Sequence, residues 1–130
     1  MSPDLPYSVT PPPPRARRLV ACLCAEWCGT CRGYRKVMRD VAGQWPADAF
    51  VWLDVEDQAE LIDELDIETF PTILVIDARD VLFHGPVLPG AEALQRLLRA
   101  LDENGPQARF VDEQALLLAQ RLRVRAELSA

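Results

Sequence analysis

Histidine is almost missing from this chain: His84 is the only one among 130 residues. It closes a short apolar run just before Gly85-Pro86, so it reads as a surface or turn residue, and chemistry built on a catalytic imidazole is set aside. Long apolar runs are missing as well. No stretch approaches the ~20 residues that a membrane span requires. Arg15, Arg17 and Arg18 stand directly before Leu19-Val20-Ala21-Cys22. They leave no room for the apolar segment of roughly 7–15 residues that a secretory or lipoprotein signal needs. A persistent basic face is also absent: the formal charge is −6, and residues 47–80 carry eleven acids against one arginine. That balance excludes a nucleic-acid partner. The four cysteines all fall between Cys22 and Cys31 rather than spread along the chain, which is not the layout of a disulfide framework. The expectation is a cytoplasmic protein with no membrane attachment.

What is present is concentrated around those cysteines. Leu19 to Ala25 is an apolar run short enough for a buried parallel strand. It turns through Glu26-Trp27, and a helical pattern opens at Cys28-Gly29-Thr30-Cys31. The first N–H groups of a helix lack intrahelical partners and carry partial positive charge, so they favour a thiolate at Cys28. A free thiol titrates near ~8.5, and this setting brings it into the range of roughly 3.5–7.5. Cys31, three residues on, lies on the same helix face and can attack a mixed disulfide formed at Cys28.

Ala25-Glu26-Trp27-Cys28-Gly29-Thr30-Cys31-Arg32 resembles the active-site segment of the thioredoxin family, and Phe70-Pro71-Thr72 resembles its cis-proline loop. The resemblance implies that Cys28 and Cys31 form a redox-active disulfide. It also implies that Trp27, Gly29, Thr30, Phe70 and Pro71 shape a peptide groove. Two positions depart from the family pattern. Thr30 stands where proline is usual, which implies a potential above that of a typical thioredoxin. Cys22 stands where a buried aspartate is usual, which implies a slower resolving step and would set Cys22 beneath Cys31.

Taken in order, Met1 to Arg17 holds six prolines, four of them at Pro11–Pro14, and is an extended arm or spacer. Residues 18–104 form the thioredoxin-like domain, and 105–130 a C-terminal helical extension. Tyr34, Val37, Met38, Val41 and Trp45 recur with helical spacing until Pro46. Phe50 to Val55 reads as a strand parallel to the first, Glu56 to Asp66 as a helix, and Thr72 to Ile76 and Val81 to His84 as an antiparallel pair. Ala91 to Glu103 is a helix closed by Asn104-Gly105-Pro106. In the tail, Gln107 to Val111 suggests a short strand, and Asp112 would cap a helix to about Glu127 with Leu116, Ala119 and Leu122 as its apolar side. The fold class is α/β, a thioredoxin-like mixed sheet flanked by helices, lacking the family's usual first helix and carrying an extra C-terminal one. The tail is expected to replace the missing cover over the sheet, either within its own chain or by crossing to a second copy as a homodimer.

Cys22 and Cys24 fall inside the apolar strand, an unsuitable place for metal ligands, so no metal and no bound cofactor is expected. Cys22 is then a small buried hydrophobe or a modulator that competes with Cys28 for Cys31. Cys24 is the other candidate modulator. The function expected is thiol–disulfide exchange with protein disulfides, in cell redox homeostasis, re-reduced by a separate reductase or small thiol. The alternative is a binding or assembly module in which the cysteine pair is a switch or relic.

Overall fold

A computed structural model describes Val9 and residues 16–25, 29–55, 71–106 and 113–125. Four strands, β1 (Arg18–Cys24), β2 (Asp48–Asp54), β3 (Thr72–Ile76) and β4 (Val81–Pro86), form one sheet in the order β2-β1-β3-β4. The helices are α1 (Gly29–Gln44), α2 (Ala91–Asn104) and α3 (Glu113–Arg125). β1 and β2 run parallel from Arg18 beside Asp48 to Cys24 beside Asp54, as a crossover through α1 requires. β3 runs antiparallel to β1, with Leu23 opposite Thr72, and β4 antiparallel to β3. The sheet is therefore the mixed one expected, and every residue of β1, β2 and β3 is buried.

Alternation along β1 divides the core in two. Val20, Cys22 and Cys24 face one side, where they pack with Tyr34, Met38 and Val41 of α1 and with Leu94, Leu98 and Leu101 of α2. Leu19, Ala21 and Leu23 face the other side and pack with Ala115, Leu118, Ala119 and Leu122 of α3. The tail thus covers its own sheet, on the face opposite α1 and α2. Its apolar side differs from the expected one: Ala115 and Leu118 join Ala119 and Leu122, while Leu116 is 44% exposed. The i, i+3, i+4, i+7 spacing from Ala115 makes a contiguous stripe, and Leu116 falls beside it.

Two ties fix the ends of this arrangement. Arg123 Nε donates to the Asp77 carbonyl at 2.8 Å, anchoring α3 to the β3–β4 turn. The same Asp77 holds that turn by accepting the Arg79 and Asp80 backbone N–H groups at 2.8 and 2.7 Å. At the start of β1, Asp48 is fully buried and pairs with Arg18 at 2.7 Å and Arg17 at 3.2 Å. Asp102 of α2 takes the remaining nitrogens of both arginines at 3.2 and 3.0 Å. Arg18 also lies over the Trp45 ring. α2 ends at Gly105, whose φ of 78° suits glycine and whose N–H returns to the Leu101 carbonyl at 3.0 Å. On the outer edge of β2, Val9 N–H donates to the Phe50 carbonyl at 2.9 Å, so Val9 meets the edge that a first strand would otherwise cover. The expected helix at Glu56–Asp66, the strand at Gln107–Val111 and the Asp112 cap lie outside the described residues.

Candidate active site

The C-terminal end of β1 and the first turn of α1 meet at the cysteines. β1 stops at Cys24 because the ladder with β2 ends there, its carbonyl accepting the Val55 N–H at 2.8 Å. α1 begins at Gly29 with Gly29 and Thr30 exposed and Cys31 turned into the core. Among the expected groove residues, Pro71 is buried one step beyond the Leu23–Thr72 pair, hence at the Cys24 end of the sheet. Its carbonyl accepts the Val87 N–H at 3.2 Å, which ties the end of β4 to the same corner. Trp27, Cys28 and Phe70 lie outside the described residues. Gly29 adopts no left-handed conformation, and among the described residues an added Cβ would meet only the Arg32 guanidinium, at van der Waals distance.

The disulfide in this structure joins Cys31 to Cys24, where the sequence motif implies a bond to Cys28. Geometry explains the pairing. Cys24 ends β1 on the side that faces α1, Cys31 lies in the first turn of α1 on its inner side, and their Cα atoms are 5.7 Å apart, within the spacing a disulfide bridges. Neither residue has any exposed surface, and the Ala25 N–H donates to the Cys31 sulfur at 3.4 Å. Cys24, expected as a candidate modulator, is the disulfide partner of Cys31 in this structure. The signal that identifies it is strand alternation, since a residue two along from Cys22 shares its face and lies nearer the helix start.

Cys22 is a free, fully buried thiol two residues before Cys24 on the same face of β1. Burial pushes its ionisation far above the ordinary thiol range, so it stays protonated. Tyr34 is held neutral in the same way, first by burial and then by proximity to Cys22. The Tyr34 hydroxyl and the Trp52 indole N–H are buried without hydrogen-bond partners among the described residues. On the outer side of α1, Arg35 stacks over the Trp52 ring at 4.9 Å, which fixes α1 against β2. Among the described residues, no group of three or more histidines, cysteines or acids converges as a metal site.

Comparison with known proteins reaches the same corner. The Thioredoxin family profile matches residues 15–103, which include β1 through most of α2. A thioredoxin-named protein of Streptomyces coelicolor is 32% identical over 95 residues, covering 70% of each chain. A thioredoxin H-type of Oryza sativa subsp. indica is 35% identical over 52 residues, which is 40% of this chain and 43% of the rice protein. The match to such plant relatives spans about two fifths of their length. Among solved structures, the thioredoxin of Trypanosoma brucei brucei superposes with a TM-score of 0.57 at 25% identity, covering 69% of this chain and 79% of that one.

Proposed function

Because the chain belongs to the thioredoxin family, we propose that it is a thiol–disulfide oxidoreductase acting on protein disulfides, with Cys28 as the attacking thiol and Cys31 as the resolving one. Cys28 stands directly before α1, whose unpartnered first N–H groups favour its thiolate. That thiolate attacks one sulfur of a substrate disulfide, and the other substrate sulfur leaves with the bonding electrons. Cys31 then attacks the Cys28 sulfur, the second substrate thiol is released reduced, and the protein carries the disulfide. A reductase or small thiol supplies the electrons that restore the dithiol.

The observation that carries this reading is the state of Cys31. It is buried in the first turn of α1, accepts a hydrogen bond from the Ala25 N–H, and forms a disulfide, here with Cys24. Pro71 at the same end of the sheet supports the assignment of a peptide groove there, with Trp27, Gly29, Thr30 and Phe70 as its further parts. The test is reduction of a protein disulfide by the full chain and by Cys28→Ser, together with a redox titration in glutathione buffers. Activity lost in Cys28→Ser is the expected result. Equal activity in the variant, or none in the wild type, would overturn the reading.

A further inference from the structure

Two cysteines suffice for the exchange just described, yet the residue bonded to Cys31 is a third one. Cys24 is not on the helix, and nothing in a Cys-x-x-Cys mechanism uses it. Its position is nevertheless defined by two elements at once, the end of β1 and the inner face of α1. Cys31 therefore has a second disulfide partner, on the core side of the helix turn. The sequence places Cys28 next to the exposed Gly29 and Thr30, whereas Cys24 and Cys31 are both closed to solvent.

We propose that Cys24 is an inner redox thiol that takes the disulfide over from Cys28–Cys31 by intramolecular exchange; this rests on the reading of Cys28 as the attacking thiol. The Cys24 sulfur attacks Cys31 Sγ, and the proton it gives up is the one that the departing Cys28 sulfur takes on. The Cys24–Cys31 bond forms as the Cys28–Cys31 bond breaks, and Cys28 leaves with the electron pair and takes up a proton. One disulfide is present before and after, so no outside oxidant is involved. The reverse step, Cys28 on Cys31 Sγ, returns the disulfide outward to whatever reduces the protein. The inner bond is then a sheltered form of the oxidised protein. An external thiol cannot reach either of its sulfurs in the folded state, and Cys28 is the outlet.

Cleavage at Glu26 separates the two forms, because it cuts between Cys24 and Cys28. Full-length protein carrying Cys22→Ala is oxidised, its free thiols are alkylated under native conditions, and it is digested without reduction by trypsin with a glutamate-specific protease. Peptide 19–26 linked to peptide 27–32, with Cys28 alkylated, is expected. If peptide 27–32 carries only an internal Cys28–Cys31 bond, the proposal falls. A second arm measures reduction by dithiothreitol. Oxidised Cys28→Ser is expected to be reduced about tenfold or more slowly than wild type, because exchange depends on access to sulfur, and equal rates would refute the outlet. Wild-type disulfide reduction is assayed beside both. Activity with unlinked peptides sinks the inner thiol alone, whereas no activity sinks the exchange reading and this proposal with it.

Discussion

Replacing Leu118 by alanine separates the true face of α3 from the face that its sequence suggests. Leu118 has no exposed surface and packs against the β1 side chains Leu19, Ala21 and Leu23, whereas Leu116, two residues earlier, is 44% exposed. Truncating a fully buried leucine removes its transfer free energy and leaves a cavity, together ~2–5 kcal/mol. α3 is a single helix lying on the outside of a sheet, free to settle toward the gap, which puts Leu118→Ala near the low end, about 2–3 kcal/mol. For a chain of this size each kcal/mol moves the melting temperature by about 3–5 °C, so the expected drop is about 6–15 °C. Leu116→Ala, at a half-exposed position, is expected to stay within about 0.5 kcal/mol. Thermal melts and urea titrations of both variants decide it. Equal losses in the two, or a larger loss at Leu116, would show that α3 does not dock through the Ala115, Leu118, Ala119 and Leu122 stripe.

Three further outcomes follow from the same physics. Asp48→Ala strands the nearly buried Arg18 guanidinium with Asp102 as its remaining carboxylate. It should cost about 3–5 kcal/mol in urea unfolding, and a loss below about 1 kcal/mol would class the cluster with ordinary surface pairs. Arg123→Ala removes the donor to the Asp77 carbonyl. About 1.5 kcal/mol is expected, the low end for a charged donor because the bond is part-exposed, with faster amide exchange in α3 and equal protection arguing against the tie. The third concerns pH. Burial keeps the Cys22 thiol protonated in the folded state, while the unfolded chain loses that proton above roughly pH 8.5. The unfolded state then binds fewer protons, so stability falls as pH rises, by up to about 1.4 kcal/mol per unit. Cys22→Ala should flatten that decline between about pH 8.5 and 10, below the range where Tyr34 adds a decline of the same sign; an unchanged slope would count against it.

The strand–helix–strand order, the hairpin and α2 were legible because each has a period that only one element satisfies. Val20 and Cys22 against Leu19 and Ala21, or Leu94 and Leu98 on α2, have no other consistent reading. The tail was harder for a definite reason. Leu116, Leu117 and Leu118 are identical neighbours, so hydrophobicity cannot say which turns inward, and the small Ala115 that completes the stripe carries little signal of its own. Charge told less still. Arg17, Arg18, Asp48 and Asp102 look like solvated residues in a linear chain, and only the β1–β2 register with Arg18 beside Asp48 gathers them. Cys24 was visible but eclipsed by the Cys28–Cys31 spacing, although strand alternation alone places it on the helix side, nearer than Cys22 to the turn.

The interleaving within β1 has a consequence for how this protein can change over time. Positions 20, 22 and 24 serve the sulfur-bearing side, and positions 19, 21 and 23 serve the docked tail. Substitutions at one set can retune redox behaviour while the grip on α3 is held, and the reverse, so two selective pressures can act on six consecutive residues with little conflict. Insertions enjoy no such freedom. One residue added at the start of the strand, with Arg18 held beside Asp48, would exchange the two sets, turning the sulfur toward α3 and the leucines toward α1, so the strand behaves as a reading frame in which residues are swapped and never counted anew.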